Sequence, residues 1–425
     1  MAMRHLGAGL LAAVVATSSA SALIVGANGH VHGPGCGHVM DIQGEFTQAE
    51  LAAQARAMGA ALVLGPNEFA VGPTSSSLPG ITFILNDIGG VGPGTDARAG
   101  FERAAALWSK AFTDPITIRL DVGFSALGPG ILGSTGSTGN QGPYSLIRNQ
   151  ILADQTSWED RRAAASLPAG PSIAFVSNEP PVAGPIDSAQ RFLDNNNSFD
   201  NNNIRINTAN VKALGLVPAY NPVTNPLGRD GMVQFSNLFT WDFDPRDGIA
   251  PGAFDFVGVA AHEIGHALGF VSGVDLADVN ALPGVAPPGR RGLNNLAWGT
   301  SLDLFRYGLF DGVQTLDWSI GGAPCLTIDN GATCAALMST GRLNGDGRQA
   351  SHFKDDIILG GLPIGIMDPT ATGPGGTRPP MVITYFDLLA FDIIGYDLRS
   401  AVPAPAALLL FGLGLAGLGV VRRRA

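Results

Sequence analysis

His262 and His266 stand four residues apart with Glu263 between them, in a run that reads FDFVGVAAHEIGHALGF from Phe254. On a helix, a spacing of four puts both imidazoles on one face, where they can share one metal ion. Glu263 lies one residue on. It cannot take the same coordination position, but it can reach a metal-bound water and act as general base. This is the physical logic of an H-E-x-x-H zinc site. Two histidines at this spacing also occur on ordinary amphipathic helices. Here the flanking residues are apolar, so imidazoles and a carboxylate on this helix need partners.

A third ligand can be sought by counting. The chain has seven histidines, at positions 5, 30, 32, 38, 262, 266 and 352. Past residue 38, the one outside the motif is His352. No glutamate follows Glu263, so a downstream Glu ligand is excluded. Aspartates remain as rivals to His352. Asp275 lies close to the motif, and Asp303 sits in GTSLDLFRYG, loosely similar to an aspzincin ligand motif but differently spaced.

The run from His262 to Gly269 resembles the metzincin pattern H-E-x-x-H-x-x-G. The usual position of the third metzincin histidine is occupied by Ser272. Leishmanolysin-like metzincins place that histidine much later, after a long insertion, and follow it with a Met-turn. His352, and then Met367 in GIMDP, repeat this layout. The resemblance covers residues 257–398, with a weaker match from residue 81. It implies an α+β zincin domain: a twisted mixed sheet and an active-site helix over a loop-rich C-terminal subdomain. It also implies a Zn²⁺ cofactor held by His262, His266 and His352, and hydrolysis of a protein or peptide substrate. Met367 would form a hydrophobic floor below the metal, though methionine is often plain core filler. Tyr307 and Tyr385 are candidate oxyanion donors. In several metzincins a pro-segment thiolate holds the enzyme latent. Cys36, in HGPGCGH, is the candidate latency thiol, and a free or intermolecularly paired cysteine is the alternative.

The elements that must position these groups can be read in outline. Asp255 can cap the motif helix, and Gly269 can end it in a left-handed conformation. Residues 81–85, 116–122, 172–176 and 203–206 read as strands. Residues 96–112, 144–166 and 384–396 read as helices, with a shorter one over 48–58. The Asn-rich run 194–203 reads as a solvated turn or a calcium loop. The insertion from Ser272 to Ser351 is expected to decorate one rim of the cleft.

The ends carry targeting signals. Arg4, an apolar run and Ala20-Ser21-Ala22 resemble a secretory signal peptide. Residues 406–421 are apolar or glycine and precede three arginines, which belong on the cytoplasmic side. With Val402-Pro403-Ala404-Pro405 before it, this end resembles a PEP-CTERM sorting signal, in which a glutamate usually stands where Ala404 does. That resemblance implies a Gram-negative bacterium, a C-terminal sorting protease and a final place at the cell surface or in extracellular matrix. The membrane would be met only through this segment, before processing. Cys325 and Cys334 bracket a short loop in an exported protein, so a disulfide is expected. Charged residues make up 14% of the chain and the formal net charge is −10, which gives no footprint for nucleic acid. The 425 residues thus divide into a signal peptide (1–22), an N-terminal extension or pro-segment (23–75), a catalytic domain (76–400) and a sorting segment (401–425). Two alternatives stand beside a zinc endopeptidase. One is a surface or matrix protein with a zinc site and little activity. The other is an aspzincin-like protease with an Asp third ligand.

Overall fold

The structure, a computed structural model, describes residues 30–31, 35–46, 64–73, 80–181, 185–281, 292–371, 373–375 and 380–399. The signal peptide, the expected helix over 48–58 and the sorting segment lie outside them.

The main layer is a mixed sheet. Its strands are β1 (Gly35–Glu45), β2 (Glu68–Val71), β3 (Thr82–Gly89), β4 (Thr117–Ser125), β5 (Ile131–Pro143), β8 (Asn203–Asn207) and β9 (Gly231–Ser236), with the pair His30–Val31 at one edge. The spatial order is β1-β5-β9-β4-β3-β2, and β8 also pairs with β5. β3, β4 and β9 are parallel, whereas β5 runs antiparallel to β9. The expected boundary between residues 75 and 76 does not divide this layer. β1 pairs parallel with β5, and β2 pairs antiparallel with β3. Met40 and Phe46, from the expected extension, are buried.

Helix α1 (Asp96–Ala111) packs against this sheet and against the motif helix. Its N-cap Thr95 accepts a hydrogen bond from the Arg98 N–H, and its apolar face buries Phe101, Ala104, Ala105 and Trp108. The expected helix over 144–166 is instead two, α2 (Tyr144–Ala153) and α3 (Trp158–Ser166). The break follows from Ser157, whose hydroxyl caps a new helix by accepting from the Asp160 N–H at 2.9 Å.

The region after the motif is less irregular than expected. It contributes β10 (Arg306–Phe310), β11 (Val313–Asp317), β12 (Cys325–Leu326) and β13 (Ala336–Leu337) to a second sheet. Two strands from upstream of the motif, β6 (Phe175–Ser177) and β7 (Phe192–Asp194), complete it in the order β13-β12-β10-β11-β6-β7. The insertion is therefore built into the body rather than laid on a rim. Phe175 stacks on Trp318 at 4.1 Å, and Trp298 meets Trp318 edge-on at 5.2 Å. Cys325 and Cys334 are joined as a disulfide. The Asn-rich run is exposed at Asn195, Asn196 and Asn197, as a solvated turn would be, but it is anchored on either side. Asp194, Asp200 and Asn201 are buried, and Asp200 accepts from Trp298 Nε1 at 3.1 Å.

Where α1 crosses the motif helix, Gly100 is needed for close approach. A Cβ there would lie 2.5 Å from Phe256 Cδ1. Gly100→Val should therefore cost about 1–3 kcal/mol through overpacking, read as a lower thermal midpoint. An unchanged midpoint would mean that this crossing is not tight.

Candidate metal centre

Helix α4 (Phe256–Leu268) carries the motif. Asp255 caps it as expected, accepting from the Gly258 N–H at 2.8 Å. Gly269 ends it with φ +131°, a conformation that a side chain would strain. From there the chain leaves the helix, and it returns to it with His352.

The three imidazoles meet. The Nε2 atoms of His262 and His266 are 3.1 Å apart, and each is 3.2 Å from His352 Nε2. All three residues are buried. Each Nδ1 faces a backbone carbonyl: His262 that of Ile366 at 2.7 Å, His266 that of Phe270 at 2.7 Å, and His352 that of Gln349 at 3.2 Å. A carbonyl oxygen only accepts, so each Nδ1 carries a proton, and in the neutral ring Nε2 then presents a lone pair toward the others. Burial pulls His262 down to about 4, with the Ile366 hydrogen bond working the other way. It therefore stays neutral, as a ligand must.

The residues fit a tetrahedral ion. Nitrogen ligands about 2.0–2.1 Å from zinc stand roughly 3.3–3.4 Å from one another, close to the spacing found here. The donor set is all imidazole, with Glu263 beside it.

Glu263 is fully buried. Thr135 Oγ1 on β5 lies 2.6 Å from its Oε2 and 2.8 Å from its carbonyl oxygen. Its Oε1 has no hydrogen-bond partner. Burial pushes the Glu263 carboxyl well above the usual range, and the Thr135 hydrogen bond opposes this. Gly133 lets β5 approach so closely, because a Cβ there would stand 2.8 Å from Glu263 Oε1.

The two aspartates considered as ligands have other work. Asp275 accepts from the Ala350 N–H at 2.7 Å and the Ser351 N–H at 3.1 Å. Asp303 accepts from Ser272 Oγ at 2.6 Å and the Gly273 N–H at 2.7 Å. Both are buried among these donors. Burial raises both carboxyls, Asp275 to about 7.

Met367 lies under α4, where a Cβ on Gly265 would be 2.6 Å from its Sδ. Its turn is held by Asp387, which accepts from the Ile366 N–H at 2.8 Å and the Met367 N–H at 3.1 Å. Asp387 lies on α5 (Tyr385–Asp392), shorter than the expected span 384–396. It was missed in the sequence, as were Thr135, Gly133 and Asn207, whose Nδ2 donates to the His266 and Ala267 carbonyls. The one available signal was the capping box at Thr384 and Asp387.

Both candidate tyrosine hydroxyls have hydrogen-bond partners of their own. Tyr307 Oη donates to Asn330 Oδ1, and Tyr385 Oη to Glu159 Oε1. Cys36 lies on β1 in register with Gly133, and its side chain is outside the described residues. A second buried group, Asp355, Asp356 and Asp368, has the spacing of an oxygen-only cation site. It is engaged in bracing its own loop, where Arg348 pairs with Asp355 and Asp368 accepts the Asp356 N–H.

Residues 401–424 match the PEP-CTERM protein-sorting motif. The motif implies export, sorting to the cell surface and processing by a C-terminal sorting protease, an exosortase. No curated protein and no solved structure matches the chain. Among the described residues no helix is long and apolar enough to cross a membrane.

Zinc titration of the metal-free protein should show one tight site per chain. His352→Ala should weaken it by more than about 100-fold, the upper end of what losing an outer partner costs. Undiminished zinc affinity in that variant would exclude His352 as a ligand.

Proposed function

We propose that this chain is an exported zinc-dependent endopeptidase of metzincin type, with a leishmanolysin-like late third histidine. The observation that carries the reading is the convergence of three imidazoles beside a buried glutamate. Structural zinc sites are usually closed by four ligands, often cysteines. Three histidines flanked by a carboxylate suit catalysis better.

His262, His266 and His352 would hold the ion. When bound, zinc supplies a Lewis acid that acidifies water and polarises a carbonyl. Every remaining step belongs to side chains of this protein. Backbone carbonyls fix the three rings, so ligand geometry is set before substrate arrives. Thr135 holds one oxygen of Glu263; with the carboxyl ionised, as a dication held beside it would favour, Oε1 is left to take a proton from the attacking water. That proton then passes to the departing amine nitrogen.

Sorting adds a location. The export signals suit a hydrolase acting at the surface or in the extracellular matrix of a Gram-negative bacterium. Before processing, the C-terminal segment would anchor the chain transiently in the inner membrane.

Casein or gelatin should be hydrolysed, 1,10-phenanthroline should abolish this, and added zinc should restore it. Glu263→Ala should keep the metal and lose at least about 10²–10⁴ of the rate. Substantial peptidase activity in Glu263→Ala refutes the assignment of the base. Tight zinc binding without any hydrolysis favours a surface or matrix protein with a zinc site.

β1 also bears on latency, because it runs along β5 with Cys36 beside the strand residue that abuts Glu263. A Cys36 thiolate that blocks the centre predicts that Cys36→Ala is secreted already active. Equal latency in the variant and the parent protein removes that role.

A further inference from the structure

The long excursion between Gly269 and His352 is closed at its mouth by buried hydrogen bonds. Ser351 Oγ accepts the Ser272 N–H at 2.9 Å, across a sequence separation of 79 residues. The same hydroxyl donates to Asp275. Asp275 Oδ1 takes the Ala350 N–H and Oδ2 takes the Ser351 N–H. Where the chain departs from the motif helix, Asp303 accepts Ser272 Oγ, the Gly273 N–H and the Thr300 N–H. Gly273 admits the close backbone contact, since a Cβ there would stand 1.8 Å from the Trp298 carbonyl oxygen.

This clasp acts on one ring. His352 Nδ1 faces the Gln349 carbonyl, and the two N–H groups that follow Gln349 both end on Asp275. Fixing those amides fixes the carbonyl that orients the imidazole. The chemistry also demands a carboxylate at position 275. Three donors converge on it, and an amide side chain would present its own N–H groups to some of them.

We propose that Asp275, working through Ser351, is the positioning residue for the third imidazole. The inference rests on the metal-centre reading above. In this arrangement the insertion is required for the site, because its two ends carry the groups that bring His352 back to α4. A histidine that follows the helix directly is positioned by its own short tether. One that arrives after some eighty residues has no such tether, and the clasp supplies it.

The test is a double-mutant cycle on zinc affinity, read by competition with a chromophoric chelator. Asp275→Asn should weaken zinc by about 10–100-fold and change the visible spectrum of the cobalt-substituted protein. In a His352→Ala background the same substitution should cost nothing further. Asp200→Asn, in the buried Trp298 contact, is the control for a general loss of stability and should leave affinity and spectrum unchanged. Should Asp275→Asn fail to fold, Ser351→Ala carries the same cycle with one hydroxyl removed. The proposal is overturned if the effect persists without His352, or if Asp200→Asn reproduces it. A parent protein that binds no zinc overturns the metal-centre reading itself, and this inference with it.

Discussion

Three imidazole nitrogens lie within 3.2 Å of one another in a buried wall. Lone pairs held that close repel, and a buried site offers little water to screen them. In the proposed reading a divalent cation resolves the conflict, and much of the molecule serves to enforce the approach. The three carbonyls that turn the rings come from separate places: the helix exit at Phe270, the returning loop at Gln349 and the turn at Ile366. Each place is secured in turn. The glycine turn at Gly269 sets the first, Asp275 the second and Asp387 the third.

The main sheet contributes through an unusually bare strand. β5 presents glycine where larger bodies must approach: Gly133 under Glu263, Gly139 against Met40 and Gly142 against Phe46. Between them Thr135 and Ser137 reach the motif helix, to the Glu263 carboxylate and the His266 carbonyl. One strand thus brings its backbone close and supplies the hydroxyls.

Buried aspartates recur as clamps on backbone. Asp255, Asp275, Asp303 and Asp387 each accept backbone N–H groups at a point where the chain must turn. Carboxylates suit this task because one side chain can accept several donors at once. Burial raises all four carboxyls while those hydrogen bonds act against it. A chain with few charged residues uses them here for architecture.

The motif helix, its cap at Asp255 and its end at Gly269 were legible because they rest on local spacing and local conformation. Counting histidines pointed to His352 without removing its aspartate rivals, and the disulfide was legible in the short loop between its cysteines. β5 was not, because a Gly- and Ser-rich run has weak strand propensity and pairs only in context. Asp275 and Asp303 looked like rival ligands because composition shows which groups can bind a metal but not which donors already claim them. What the sequence determined by itself is the chemistry available: two imidazoles and a carboxylate on one helical turn, a third imidazole far downstream, and signals for export and sorting. The tertiary structure alone decided which distant groups complete the site. Such contacts depend on where long loops close, and loop closure is set by packing and hydrogen bonds between residues that no local pattern links.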